Sequence, residues 1–217
     1  MDLGLRGKTA VVSGGSEGIG YATALSLARE GANVIIAARR ESVLQDAAAR
    51  INADLPRSTE PQVIPISCDV SRPEGVALLM QSGGGSIVNV LNLGAKQPGA
   101  ASVPTSVSRA AGMALTKALS KEFAPDNIRV NAVLIGLVKS GQHARSWRAR
   151  SAAAGGDVSA QSLDDFYTAM VQQRAVPLGR IAEAEEAGDL ITFLCSSRAT
   201  YITGTAINFD GGTSAVV

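Results

Sequence analysis

The stretch Lys8–Gly20, KTAVVSGGSEGIG, constrains the fold of this chain more than any other. A short apolar run stops at paired glycines, as a buried strand does at its end. Apolar positions then recur at helical spacing through Ile19, Ala22, Leu25, Leu27 and Ala28, and Gly31 is placed to close that helix as a C-cap. A second apolar run, NVIIAAR, follows at once. Gly14, Gly18 and Gly20 let the backbone turn tightly and approach a ligand closely, while the N–H groups of the helix start face an anion. A glycine pattern alone is a weak signal, because glycines also merely end strands. With a strand before it, a helix after it and a second strand at the expected distance, it points to dinucleotide binding. The candidate binding residues of the turn are Gly14, Ser16, Glu17, Gly18, Ile19 and Gly20.

The remainder repeats the alternation. Val43, Leu44, Ala47, Ala48 and Ile51 follow helical spacing, and a polar loop leads to a third strand, QVIPIS. Ser71 and Glu74 form a candidate capping box. SIVNVL reads as a further strand, followed by a helix from about Ser106 to Phe123 and the strand IRVNAVLIG. Residues 139–176 are a long mixed excursion, after which a helix from about Glu183 to Ser196 and the strand TAINFD close the pattern. Strands alternating with helices imply a parallel sheet covered on both faces. The expectation is one doubly wound α/β domain over residues 1–217, three layers deep.

Bulk properties remove other classes. With 46% hydrophobic and 18% charged residues the chain is globular. A net charge of +1 supplies no field for nucleic acid or a membrane surface, and the cluster Arg145, Arg148 and Arg150 reads as a solvated face. No apolar run approaches the ~20 residues that span a bilayer. The start, MDLGLRGK, lacks the apolar core of a signal peptide. Cys68 and Cys195 read as buried thiols in a reducing compartment. A cytoplasmic protein is expected, without a metal site.

The end of the second strand bears on which dinucleotide is bound. An acidic residue there would accept hydrogen bonds from the adenosine ribose and favour NAD. This chain has Ala38 followed by Arg39 and Arg40, and two guanidiniums suit a 2′-phosphate. Solvated charge is the alternative for both. NADP(H) is expected over NAD(H).

Taken together, SGGSEGIG, the CDV of Cys68–Val70, SIVNV, IRVNAVLIG, PLGR at Pro177–Arg180 and YITGTAINFDGG resemble the short-chain dehydrogenase/reductase family over nearly the whole chain. The resemblance is nearest to the β-ketoacyl-acyl-carrier-protein reductases. It implies a Rossmann-type seven-stranded sheet and hydride transfer between a nicotinamide and the carbon of a small carbonyl or alcohol substrate. It also implies that Asp69 and Val70 lie near the adenine, that Gly136 and Ser140 lie near the nicotinamide, and that 139–176 is a substrate lid. A homodimer or homotetramer is implied as well.

Two departures stand out. Asn92, Thr105 and Arg109 fill the places of the family's Ser, Tyr and Lys. An aliphatic hydroxyl is a far weaker acid than a phenol with a pKa near ~10, so Thr105 cannot shuttle the proton. Arg109 keeps a cation and its donors but cannot deprotonate. Asn92 keeps an amide N–H that can polarise a carbonyl. Losing a general acid typically costs ~10²–10⁴-fold in rate. Tyr167 and His143, both in the lid, are the substitutes to weigh against plain packing and an incidental histidine; Tyr201 is expected to pack. A dinucleotide-binding sensor or assembly protein without turnover is the alternative function. Second, RPEGVALLM runs straight into QSGGGSIVNV, where the family places its fourth strand and an interface helix. A junction across a missing segment is expected near Leu79–Gln81. The alternative is a true deletion, with the fifth strand moved up beside the first.

Overall fold

A computed structural model describes residues 1–55, 63–67, 84–153 and 162–216. Asp69, Val70, Cys68, the Ser71–Glu74 box and the junction near 79–81 lie outside the described residues.

Two parallel half-sheets form the middle layer. The first holds β1 (Thr9–Ser13), β2 (Asn33–Ala38) and β3 (Val63–Ser67) in that order, with Val11 opposite Ile35 and Ile35 opposite Ile64. The second holds β4 (Gly85–Asn92), β5 (Ile128–Ile135) and β6 (Ala206–Phe209), with Asn92 opposite Ile135. Parallel pairing requires crossovers, and helices supply them. These are α1 (Gly18–Arg29), α2 (Glu41–Asp54), α3 (Val103–Glu122) and α6 (Ala184–Cys195). The excursion at 139–176 contains two further helices, α4 (Gly141–Ala153) and α5 (Leu163–Gln173).

Strand alternation sends side chains to both faces. On β5, Ala132 and Leu134 pack with Leu91 against Met113 of α3, whereas Val133 packs against Ile191 and Leu194 of α6. In the first half-sheet Val34, Ile36 and Val63 meet Leu27 of α1 and Leu44 and Ile51 of α2. The result is the expected Rossmann-like α/β domain with helices above and below a parallel sheet.

The two half-sheets are not hydrogen-bonded to each other: among the described residues β1 pairs with β2 and β4 with β5. The family's fifth strand has therefore not moved up beside the first. These edges, unpaired among the described residues, coincide with exposed apolar side chains, Val11 on β1 at 57% and Val90 on β4 at 44%. On the other face α6 spans both halves. Gly188 lets it approach the backbone of Ala22 on α1, and the Ser86 hydroxyl of β4 donates to the Leu194 carbonyl at 3.1 Å.

Several local expectations changed. α3 begins at Val103, before Ser106, because Pro104 fits the first turn of a helix, where its missing N–H costs nothing. Tyr201 does not pack; it is fully exposed. Cys195 is a free thiol, half-buried, and burial raises its pKa.

Candidate functional site

The glycine turn follows β1 and runs into α1. Gly14 and Gly18 take positive φ, +75° and +57°, and the Gly14 N–H donates to the Ala37 carbonyl of β2 at 2.7 Å. Gly20 passes so close beneath the turn that a Cβ on it would fall 2.2 Å from the Gly14 carbonyl oxygen. Only glycine permits that approach. Ser16 is buried, and Ile19 packs against the cluster of Val133, Ile191 and Leu194. The N–H groups at the start of α1 are thus held open at the carboxyl end of β1, where parallel sheets bind ligands.

Glu17 occupies the N-cap of α1, but its side chain accepts no hydrogen bond from the helix. Its carboxylate instead holds Arg40, at the end of β2, at 2.5 Å, and Arg145, on α4, at 3.5 Å. The Arg40 guanidinium is the main cause of a Glu17 pKa below the usual carboxylate range, with Arg145 adding to it. Arg39 is exposed and makes no ion pair with a described residue. Arg145, Arg148 and Arg150 are all exposed, as a solvated face requires; on that face Arg145 lies 3.5 Å from Glu17 and Arg150 lies 5.8 Å from the centre of the Phe166 ring.

The other candidates gather at the carboxyl ends of β4 and β5. Asn92 ends β4, and its side-chain oxygen accepts from the Gly94 N–H at 3.0 Å, which aims the loop after the strand and leaves the amide N–H₂ available. Thr105 is exposed on the first turn of α3. One turn on, Arg109 is half-buried, and its Nε is a buried donor without a partner among the described residues. Gly136 follows β5; its N–H donates to Phe209 at 2.9 Å, and a Cβ there would fall 2.7 Å from Asp210. The Ser140 hydroxyl accepts from the His143 backbone N–H at 3.3 Å.

His143 carries a second buried atom, Nδ1, that has no partner among the described residues, while its ring also hydrogen-bonds the Val138 backbone. Burial lowers its pKa, and the Arg174 charge lowers it further. Tyr167 packs among Leu137, Phe166, Val171 and Val176, and burial raises its pKa; the Lys139 ammonium, bound to Glu183 at 2.6 Å, lies 5.8 Å from its ring centre. A cleft of about 430 Å³ opens beyond β5 and β6, lined by Leu137, Val176, Leu178, Arg180, Phe209 and Gly211 among others. Neither the glycine turn nor Asn92, Thr105 or Arg109 lines it, so it is a neighbouring feature and not the turn's own site. Among the described residues no cluster suits a metal ion, and no helix is long and apolar enough to cross a membrane.

Comparison with known proteins fixes the class. The family model described as enoyl-(acyl carrier protein) reductase matches residues 75–214, and that of short chain dehydrogenase matches residues 8–82. The chain belongs to the short-chain dehydrogenase/reductase family, whose chemistry is NAD(P)-dependent oxidoreduction. An A-factor type γ-butyrolactone 1′-reductase of Streptomyces virginiae is 30% identical, over 96% of this chain and 96% of its own length. Dehydrogenase/reductase SDR family member 4 of Homo sapiens is 25% identical over 266 residues, covering 96% of this chain and 88% of the relative. Those alignments are longer than the chain itself and so contain positions it lacks. In structure the chain is similar to L-sorbose reductase of Gluconobacter frateurii complexed with NADPH and L-sorbose, with a TM-score of 0.87, 27% identity and full coverage of both chains. It is also similar to an NADPH-bound short chain oxidoreductase of Pseudomonas aeruginosa with an atypical catalytic center, with a TM-score of 0.82, 28% identity and 97% and 98% coverage.

Proposed function

We propose that this reductase-type protein uses NADP(H) and exchanges hydride with a small carbonyl or alcohol substrate, through a site in which Asn92, Thr105 and Arg109 replace the family's Ser, Tyr and Lys. The observation that carries the reading is the Arg109 Nε, a buried donor with no partner among the described residues. An unmet buried donor costs about 1–3 kcal/mol, and a ribose hydroxyl oxygen would satisfy it. The turn fits the same cofactor, because a Cβ at Gly14 or Gly18 would meet nothing within 4 Å, which leaves open space for an anion beside the α1 N–H groups.

In this reading Gly14, Ser16, Glu17, Gly18, Ile19 and Gly20 form the pyrophosphate cradle, and Arg39 and Arg40 take the 2′-phosphate. Asp69 and Val70 lie by the adenine, and Gly136 and Ser140 by the nicotinamide. When bound, the cofactor supplies or accepts hydride at its nicotinamide ring. The chain's own residues do the rest. Asn92 donates its amide N–H to the substrate oxygen, Arg109 fixes the ribose, and Thr105 lines the site without moving a proton. Residues 139–176 cover the substrate. The NADPH-bound relatives support the cofactor choice, and the Pseudomonas protein is a precedent for a family member with an atypical center. Val103, Val107 and Leu115 form an exposed apolar stripe on α3, which supports a homodimer or homotetramer. Light scattering of the purified protein tests the oligomer.

Titration with NADPH and NADH tests the cofactor. NADPH should bind more tightly, and Arg109→Met should weaken it about tenfold, the cost of one charge-assisted hydrogen bond. Tighter NADH binding would overturn the choice of NADP(H). A second reading, dinucleotide binding without turnover, is favoured by one observation: Tyr167 is buried in the lid and Tyr201 faces solvent, so neither stands in for the absent phenol. Thr105→Tyr with Arg109→Lys separates the two. A large rate gain on generic ketones marks a decayed reductase site, and a wild type without turnover on any of them favours the binding protein.

A further inference from the structure

Three separate segments converge on the Glu17 carboxylate: the glycine turn, the end of β2 through Arg40, and α4 through Arg145. The two contacts are unequal, 2.5 Å for Arg40 and 3.5 Å for Arg145. A Cβ at Gly141, where α4 begins, would lie 4.0 Å from Glu17 Oε1, so the first turn of α4 already borders the carboxylate. All three side chains are more than a third exposed. An exposed ion pair is weak and easily exchanged, whereas guanidinium and phosphate form strong, often bidentate, charge-assisted bonds.

We propose that Glu17 is a placeholder for the nucleotide's 2′-phosphate and that Arg145 is a cofactor-specificity residue delivered by α4. A 2′-phosphate draws Arg40 away from Glu17. The carboxylate, relieved of its nearer partner, closes on Arg145, and α4, already beside the glycine turn, is held there more firmly. A nucleotide without that phosphate leaves Arg40 on Glu17 and the Arg145 contact at its longer distance. The identity of the cofactor is thereby read by the lid as well as by the adenosine end. The inference rests on the assignment of Arg40 to NADP(H), and it adds Arg145 and the Glu17 side chain to the determinants of that choice.

The test is calorimetric titration of NADPH, NADH, 2′,5′-ADP and 5′-AMP into wild type, Glu17→Gln, Arg145→Gln and the double variant, with hydrogen exchange of α4 in parallel. Removing a negative charge beside the phosphate should tighten NADPH and 2′,5′-ADP about fivefold in Glu17→Gln, with NADH and 5′-AMP changing less than about twofold. Arg145→Gln should weaken NADPH about threefold in the wild-type background and not at all beside Glu17→Gln. NADPH should protect α4 amides more than NADH does, and either variant should abolish the difference. Equal protection of α4 by NADPH and NADH, or an Arg145→Gln effect that persists beside Glu17→Gln, overturns the exchange even where wild type prefers NADPH. A wild type that binds neither dinucleotide overturns the cofactor assignment and this inference together. Both side chains are exposed, and unchanged circular dichroism will verify that the variants are folded.

Discussion

Replacing Gly20 by alanine isolates the glycine turn. The added Cβ would meet backbone alone: the Gly14 oxygen at 2.2 Å, the Gly14 carbonyl carbon at 2.8 Å and the Gly15 Cα at 3.2 Å. No rotamer relieves such an overlap. Ordinary contact requires the turn to move by roughly 1 Å. Gly14 resists that movement through its hydrogen bond to Ala37 at 2.7 Å. Overpacking of this kind costs about 1–3 kcal/mol, which lowers the melting temperature by roughly 2–4 °C per kcal/mol in a domain of this size. The same movement misaligns the α1 N–H groups, and each charge-assisted bond lost costs about 1.5–3 kcal/mol, or more than ~10-fold in affinity. The control is Gly204→Ala. It combines φ of +68° with a Cβ 2.5 Å from Ser120 Oγ and 3.0 Å from Lys117 Nζ, just before β6 begins. Thermal melts and NADPH titration should show both variants destabilised and only Gly20→Ala impaired in binding. Gly20→Ala with normal affinity, or equal loss of affinity in Gly204→Ala, would refute the argument that this turn is the cradle.

Two further predictions concern pH. His143 is held neutral by burial and by Arg174, so its folded pKa lies below the ordinary 6.5 and the unfolded chain binds the extra proton first. Stability should be full above about 6.5 and decline as pH falls from there towards the lowered value. His143→Gln should flatten that window in melts at graded pH, and as this is the single histidine of the chain its NMR titration reads the pKa directly. Glu186 accepts from Arg180 at 2.7 Å and from the Glu183 N–H at 2.8 Å, which hold its pKa at about 2. Its stabilisation is present above the ordinary 4.5 and is lost as pH falls through about 2. Glu186→Ala should cost about 1 kcal/mol at neutral pH, the scale of a helix cap, because a half-exposed ion pair adds little. No loss in a denaturant melt would count against the cap.

The parts legible in the sequence are those set by neighbours along the chain. Gly31, one residue past the C-cap Glu30, ends α1 with φ of +85° because the position after the cap takes a left-handed residue, and the apolar runs of β1, β2, β4 and β5 needed no tertiary information. The residues of the 139–176 excursion hid two helices. α5 did carry a readable signal, since Ser162 and Asp165 form a reciprocal capping box, but α4 has almost no apolar stripe and is read from structure alone. The meeting of Glu17 with Arg145 was not legible, because it joins residues 128 positions apart through the fold. Nor were the Arg109 and His143 nitrogens that lack a partner among the described residues, since burial without a partner is a property of packing. Tyr201 shows the converse error: an aromatic residue before a strand suggested packing, yet no element lies over it.

The split sheet divides the proposed site as well. The glycine turn, Arg39 and Arg40 belong to the half-sheet of β1–β3, whereas Asn92, Arg109 on α3, Gly136 and Ser140 belong to the half-sheet of β4–β6. Among the described residues no ladder ties the halves, so the packing of α6 on α1 is central to their alignment. That packing depends on Gly188, where a Cβ would meet the Ala22 carbonyl carbon at 2.8 Å, Thr23 N at 2.9 Å and the Ala22 oxygen at 3.0 Å. Gly188→Ala must therefore separate the helices by about half an ångström, at a cost of about 1–3 kcal/mol. Each half keeps its own geometry while their relation changes. Binding of 2′,5′-ADP, which needs the first half and at most the exposed Arg145 contact from the second, should survive within about threefold. The extra affinity of NADPH over 2′,5′-ADP requires both halves at once and should fall about tenfold, as for two linked sites that no longer fit one ligand. If calorimetry shows the two ligands weakened alike, the halves are not aligned by this helix contact and the division of the site is wrong.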